Sequence, residues 1–235
     1  MGHVKYAGGI VLTPEGGAFV VVEKCPRKRA GVRCDDIEDE WEDAFKIVGA
    51  ERLTGGMVAM TDTVAKRLTS APLKGDCTSY IDVGAVAEDV IRLLNAREAY
   101  PLPLVIGGEA ETVERDRRLL PLRALHSTVT VALEQQRLDA LESLTDAAML
   151  IRLLREPATL PEIGPTTDLA RAAMIATWVA NRYPTGGPWA SEKRPRAGTR
   201  EAYELEAFEM EKRDIERARA AEKKQWWEPA DDDFS

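Results

Sequence analysis

Two β-forming runs near the N-terminus restrict the fold more than any other feature of the sequence. The segment YAGGIVLTPEGGAFVVVEK, residues 6–24, places apolar and β-branched residues on either side of TPEGG, where proline and glycine supply the geometry of a tight turn. We therefore predict a β-hairpin. Val20, Val21 and Val22 are consecutive rather than alternating with polar residues, so both faces of the hairpin should be covered, one of them by another chain.

Most of the remaining chain has the periodicity of helices. Apolar residues recur at the spacing of one buried helical face in residues 83–94, and they continue at helical spacing through 109–155 and 169–182. Asp82 precedes the first of these segments. Thr167 or Asp168 is predicted to be the N-cap of the last.

The composition also favours helices. Aromatic residues make up only 6% of the chain, so the core must consist mostly of aliphatic side chains, which favours packed helices over a β-sandwich. Short helices are predicted around residues 41–48 and 62–68, and the proline-containing segment 100–108 is predicted to be an extended connector. We accordingly predict a mainly α fold, in which a helical core carries an N-terminal β-hairpin, a charged C-terminal helix and an acidic tail.

Changes in composition divide the chain into four regions. Residues 1–50 contain the hairpin and an acidic helix region, and residues 51–183 form the predicted helical core domain. Residues 184–198 are rich in proline, glycine and basic residues and are predicted to be a linker. Residues 199–235 are predicted to form a highly charged helix followed by an acidic and aromatic tail.

Charge and cysteine content limit the possible partners. The formal net charge of −8 disfavours broad binding to nucleic acid or to anionic membranes, although basic residues at 27–33 and 192–198 leave local contact with nucleic acid possible. No apolar run reaches the ~18 residues of a membrane span, so we expect no membrane partner. Cys25, Cys34 and Cys77 lack C-x-x-C spacing, which argues against a disulfide scaffold or a zinc site. We expect a cytoplasmic protein, or part of a particle assembled in the cytoplasm.

The sequence contains little that indicates catalysis. The segment GGIVLTPEGGAFVVVEK is similar to the opening strands of Nudix hydrolases, but the magnesium-binding R-E-x-x-E-E run of that family does not follow. His3 and His126 are the only histidines. Phosphate-loop, dinucleotide-binding, serine-hydrolase and zinc-protease motifs are missing from the sequence. We therefore predict that the protein is not an enzyme, with no catalytic residues, no metal and no cofactor.

One acidic segment leaves a metal-dependent enzyme open as an alternative. Asp36, Asp39, Glu40 and Asp43, in DDIEDEWED, would lie on one side of a helix and could together bind a divalent cation. No EF-hand spacing is present. A solvated acidic surface beside the basic segment at 27–33 is the favoured interpretation.

The C-terminal segment WWEPADDDFS is predicted to bind a partner. It resembles in outline the acidic C-terminal tips of single-stranded DNA-binding proteins, although the match covers only DDDF. Large aromatic anchors flanked by carboxylates suit a pocket with a basic rim, and the alternative that both tryptophans fold back on their own domain stays open. The predicted partner-binding residues are Trp226, Trp227, Asp231, Asp232, Asp233 and Phe234.

These features favour a non-enzymatic structural or assembly subunit of a larger complex. A phage connector, tail or capsid-associated virion protein fits this description, with other protein subunits as its partners in a homo- or hetero-oligomer. The first alternative is a regulatory or nucleic-acid-associated adaptor. The second alternative is a small carboxylate- or metal-dependent enzyme.

Overall fold

A computed structural model describes residues 5–28, 41–84, 88–114, 117–145, 147–155 and 165–182. The predicted linker, C-terminal helix and tail lie outside these residues. The elements in chain order are β1 (Tyr6–Thr13), β2 (Gly16–Lys28), β3 (Trp41–Leu53), α1 (Met57–Leu68), β4 (Cys77–Asp82), α2 (Glu88–Ala96), β5 (Leu102–Ile106), β6 (Thr112–Glu114), β7 (Arg117–Leu120), α3 (Leu122–Glu134), β8 (Leu138–Ala140), α4 (Ala147–Arg155) and α5 (Pro165–Arg182).

The described strands form one mixed sheet in the order β6-β7-β5-β4-β1-β2-β3-β8. Strands β1, β2 and β3 pair antiparallel, whereas β4, β5 and β7 continue from β1 in parallel and β8 is parallel to β3. All described strands except β2 and β6 therefore run in one direction. They end at a common border of the sheet, which we call the carboxyl edge; their last residues are Thr13, Leu53, Asp82, Ile106, Leu120 and Ala140.

Helices cover both faces of the sheet. Apolar residues of α3, α4 and α5 pack with alternate residues of β1, β2 and β3, including Val11, Val20 and Phe45. We call this side the α5 face. The opposite side packs against α1 and α2 through residues such as Ile10 and Ile81. None of the described helices combines the length and the apolar character needed to cross a bilayer.

The hairpin predicted at residues 6–24 is present, and the chain itself covers both of its faces. β1 and β2 pair in continuous antiparallel register from Tyr6 with Glu23 to Thr13 with Gly16. Val20 and Val22 are buried on the α5 face, while Val21 is buried on the opposite face. The consecutive valines therefore belong to a strand in the middle of a two-sided sheet, and a second chain is not required to cover them.

The prediction of a mainly α fold is wrong. Residues 41–48, predicted to be helical, belong to β3, which pairs with β2 along its whole length. Phe45 and Ile47 are buried on the α5 face, and Val48 packs on the other, as the two-residue period of a strand requires. Short apolar runs fit both helix and strand patterns, and pairing with a distant strand decided the outcome here.

Three other segments differ from their predicted structure for the same reason. Residues 100–108 contain β5 rather than only a connector, because β4 and β7 both pair with it. The segment 109–155 contains three short strands, of which β6 and β7 precede α3 and β8 lies between α3 and α4. Asp82 ends β4, so the helix predicted from residue 83 does not include Val83, and α2 is described from Glu88. The helix predicted at 169–182 is present as α5 and starts at Pro165.

Helix α5 lies unusually close to β1. A Cβ added at Gly9 would lie 1.9 Å from the carbonyl oxygen of Ala172, so only glycine at this position permits the observed approach. Further along α5, Trp178 packs edge-on against Tyr80 of β4, with ring centroids 5.6 Å apart. These two contacts fix the helix along the centre of the sheet.

Lys24 is an exception to the apolar lining of the α5 face. Its side chain is buried, and its Nζ finds no hydrogen-bond partner among the described residues. Burial lowers the pKa of this amine from 10.5 to about 8, although the charge of Asp43 opposes the change. The protonated amine therefore reduces the stability of the folded state at neutral pH.

Substituting Gly9 should disrupt the packing of α5. We expect Gly9→Ala to lower the free energy of unfolding by ~3 kcal/mol or more, because the new methyl group would overlap backbone atoms that cannot rotate away. Gly56→Ala is the matched control, since a Cβ there meets no atom within 4 Å. Urea unfolding would measure the free energy of unfolding of both variants. Equal stability of the two variants would contradict the close contact between α5 and β1.

Removing the buried amine should stabilise the protein. We expect Lys24→Met to raise the free energy of unfolding at pH 7 by ~3 kcal/mol. Between pH 8 and pH 10.5 the folded state binds fewer protons than the unfolded chain, so wild-type stability rises with pH and the advantage of the variant should shrink. Urea unfolding at neutral and alkaline pH would measure this, and an advantage independent of pH would disprove it.

Candidate active site at the carboxyl edge

Asp82 is the last residue of β4 and lies at the carboxyl edge of the sheet. It is in register with Val11 of β1 and two residues after Tyr80, so its side chain is on the α5 face. Only 9% of Asp82 is exposed. Its Oδ1 accepts a hydrogen bond from the backbone N–H of Gly84 at 3.0 Å, which holds the carboxylate at the point where the chain leaves the strand.

Asp168 lies in the first turn of α5 and is 4% exposed. The contact between Gly9 and Ala172 lies one helical turn further along. Asp168 is close enough to Asp82 and to Glu15, in the turn between β1 and β2, for both charges to act on its pKa. The packing of α5 on β1 thus brings a helix residue to the end of β4.

Both aspartates have raised pKa values. Burial is the largest cause for each. For Asp82 the hydrogen bond from Gly84, the charge of Arg171 and a hydrogen bond from the backbone of Ile106 act in the opposite direction. For Asp168 the negative charges of Glu15 and Asp82 raise the pKa further, and Arg171 lowers it.

Arg171 is the cation that faces both carboxylates. It follows Asp168 by three residues and therefore lies on the same side of α5. Its charge lowers the pKa of Asp168 and of Asp82. The site therefore combines two buried carboxylates, one exposed carboxylate at Glu15 and one partly buried guanidinium.

The carboxyl ends of parallel strands are the usual binding position in open α/β sheets, because loops and helix N-termini converge there. Within the described ranges no group of three or more histidine, cysteine, aspartate or glutamate side chains is arranged to hold a metal ion. Two carboxylates are nevertheless a sufficient protein contribution for Mg²⁺, which is commonly bound by one or two carboxylates together with substrate phosphates.

Of the residues that the sequence singled out for binding, only Asp43 is among the described residues. The six partner-binding residues of the tail lie outside the described residues, as do Asp36, Asp39 and Glu40. Asp43 lies in β3 opposite Pro26, far from the end of that strand, and its carbonyl oxygen accepts a hydrogen bond from Arg137. Whether the acidic run and the tail bind partners stays a prediction.

Among the residues that the structure describes, His126, Cys25 and Cys77 have little catalytic character. His126 lies in α3, where partial burial lowers its pKa. Burial raises the pKa of Cys77 to about 12 and also raises that of Cys25. Both thiols are therefore poor nucleophiles at neutral pH.

Sequence reasoning noticed Asp82 only as the residue before a helix, and Asp168 only as one of two possible helix caps. The missing information was that a strand, TSYID, ends at Asp82 and that α5 crosses this strand end. An aspartate directly after a buried apolar run was the available signal. It gained meaning only once a second carboxylate was located beside it.

No family model matches this chain, and no curated protein matches it. Among solved structures, the large terminase nuclease from thermophilic phage G20c with bound zinc is similar to this chain, with 16% sequence identity and a TM-score of 0.42. The alignment covers 74% of this chain and 80% of the phage chain. The human cytomegalovirus terminase nuclease domain, Mn-soaked and inhibitor-bound, is 14% identical with a TM-score of 0.45 and covers 75% of this chain and 83% of that chain.

The prediction of a non-enzymatic structural or assembly subunit is corrected. It depended on a mainly helical core without a site for chemistry, and the described residues instead form a mixed sheet with two buried carboxylates at its carboxyl edge.

The buried carboxylates should reduce the stability of the metal-free protein. The pKa values of Asp82 and Asp168 are raised above 3.8 in the folded state. Just above pH 3.8 the folded protein therefore binds more protons than the unfolded chain. The free energy of unfolding falls as the pH rises through this range. We expect Asp82→Asn to raise Tm at pH 7 in EDTA and to weaken this pH dependence.

The exposed Asp89 of α2 is a control for this prediction, since its side chain is 80% exposed. Asp89→Asn should leave Tm nearly unchanged. A lower Tm for Asp82→Asn than for wild type, measured by thermal unfolding without metal, would show that Asp82 stabilises the fold rather than straining it.

Proposed function

We propose that this protein is a nuclease that hydrolyses phosphodiester bonds with the help of divalent cations. The proposal rests on one observation: Asp82 and Asp168 are brought together, nearly buried and with raised pKa values, where the parallel strands end. Buried carboxylates of this kind reduce stability and therefore more often belong to a functional site than to a structural one.

The donor chemistry fits Mg²⁺ or Mn²⁺. Both cations prefer oxygen ligands, and Asp82 and Asp168 would hold the ion through their carboxylate oxygens. Glu15 adds a third negative charge that acts on Asp168. When bound, such an ion polarises a phosphoryl oxygen and lowers the pKa of a bound water.

The remaining chemistry belongs to the chain itself. The N–H of Gly84 orients Asp82, and the attachment of α5 to β1 orients Asp168. Arg171 compensates the carboxylate charges and is positioned to neutralise a phosphate that approaches them. The low exposure of both aspartates keeps water away from their inner sides, which strengthens each of these electrostatic interactions.

Nucleic acid as the substrate is part of the proposal. It is the substrate class implied by the word nuclease in the descriptions of the similar solved structures. The net charge of −8 does not exclude such a substrate, because a local arrangement of cations around the site can attract a polyanion. An adaptor that binds nucleic acid without cutting it is the competing possibility.

Hydrolysis should require both aspartates and a divalent cation. We expect the purified full-length protein to cut linear or plasmid DNA in Mg²⁺ or Mn²⁺, and Asp82→Asn and Asp168→Asn to lose roughly 100-fold or more in kcat. EDTA should abolish cutting, whereas Asp89→Asn should cut at the wild-type rate. Gel assays over time would measure the cutting rates of the wild type and of the three variants, with and without EDTA.

A second readout tests the cation site without activity. Mg²⁺ or Mn²⁺ should raise the Tm of wild type, because binding to the folded state alone stabilises it, and should do so much less for Asp82→Asn and Asp168→Asn. DNA bound but never cut, with equal metal-induced shifts in all variants, would favour the adaptor and refute the nuclease.

A further inference from the structure

A single row of residues leads from Asp82 across the centre of the sheet. Asp82 in β4 is in register with Val11 of β1, Val11 is in register with Ala18 of β2, and Ala18 is in register with Arg52 of β3. Residues in register on neighbouring strands point to the same face. Arg52 therefore lies on the α5 face, on the same line as the proposed catalytic carboxylate.

The other contacts of this row agree with that placement. Val11 and Ala18 are buried in the α5-face core. A guanidinium nitrogen of Arg52, Nη2, lies 4.0 Å from the Sδ of Met149, on helix α4 of the same face. Arg52 itself is exposed and is the second-last residue of β3, so it borders the carboxyl edge.

The spacing suits a polymer rather than a small phosphate ester. Three steps between neighbouring strands separate Asp82 from Arg52, a distance of ~14 Å at ~4.8 Å a step. One strand of B-DNA advances ~3.4 Å along the helix axis for each phosphate. A phosphate about four nucleotides from the one at the carboxylates would therefore reach Arg52.

The electrostatics of the site also call for a distant cation. Asp82, Asp168 and Glu15 repel a polyanion, and the single positive charge of Arg171 offsets only part of their combined negative charge. A strand must then gain its attraction beyond the acidic centre. Arg152, exposed on α4 and one helical turn after Met149, adds a second positive charge on the same side as Arg52.

We propose that Arg52 binds a backbone phosphate of the nucleic-acid substrate and positions the strand across the ends of β1 and β2, with Arg152 extending the same path. The inference rests on the proposed nuclease function. Contacts of this kind fix the register of the strand without reading its sequence. Arg52 is thus a positioning residue for a polymeric substrate.

Salt-dependent DNA binding tests the contact directly. In EDTA, where the proposed hydrolysis does not proceed, fluorescence anisotropy with a labelled duplex would be measured between about 50 and 200 mM salt. Arg52→Gln should reduce the slope of log K against log salt by about 1 and weaken binding roughly 5-fold to 10-fold. Arg152→Gln should act in the same direction.

Arg67→Gln is the matched control. Arg67 is also an exposed arginine near β3, but it pairs with Glu51 at 2.9 Å on the opposite side of the sheet. The Arg67→Gln substitution removes the same charge as Arg52→Gln and should leave the salt slope unchanged. An equal effect of Arg67→Gln and Arg52→Gln would reduce the result to net charge and overturn the inference.

Kinetics separate this inference from the nuclease proposal. With DNA and Mg²⁺, Arg52→Gln should raise KM roughly 5-fold while kcat stays near the wild-type value. With bis(p-nitrophenyl) phosphate both KM and kcat should be unchanged, because this substrate is too short to reach Arg52. Unchanged KM and salt slope, with cutting that still requires Asp82, would overturn the role of Arg52 and keep the nuclease. A wild-type protein that cuts neither substrate would overturn the nuclease, while the salt slope still decides whether Arg52 binds DNA.

Discussion

The close contact between Gly9 and the backbone of α5 at Ala172 determines the rest of the arrangement. Without a side chain at Gly9, the helix lies directly on the central strand, and its alanines Ala172, Ala173 and Ala176 fill the space that larger residues would need. The position of Asp168 follows from this contact, because it is one turn nearer to the helix N-terminus. Any separation of helix and sheet at Gly9 would also separate Asp168 from Asp82.

The candidate site reduces stability in order to keep its charge. Asp82 and Asp168 lose hydration on burial, and their mutual repulsion adds to this cost for Asp168. The hydrogen bond from Gly84 and the charge of Arg171 recover only part of it, since both pKa values stay raised. In the proposed function, a bound cation or phosphate would offset the rest.

The helical interpretation failed where pairing between distant strands outweighed local pattern. Residues 41–48 have apolar side chains that fit either a helix or a strand. Every residue of β3 except Val48, which lies at a register shift, pairs with β2, because the hairpin offers a free strand edge. Pro103 also fits within β5, because it is the second residue of the strand and precedes the part paired with β7, which begins at Leu104. Long helices with a strong period, such as α5, were predicted well, since their signal is contained within the segment itself.

Local sequence was sufficient for the hairpin and for α5. The turn residues of TPEGG, the β-branched runs beside them and the small-residue stripe of residues 169–182 each act over a few neighbouring positions. The order of the strands, the approach of Asp168 to Asp82 and the row from Asp82 to Arg52 depended on tertiary structure. Asp168 is 86 positions from Asp82 in the chain, and Asp82 is 30 positions from Arg52. Only the packing of α5 on a paired sheet brings such residues within reach of one another.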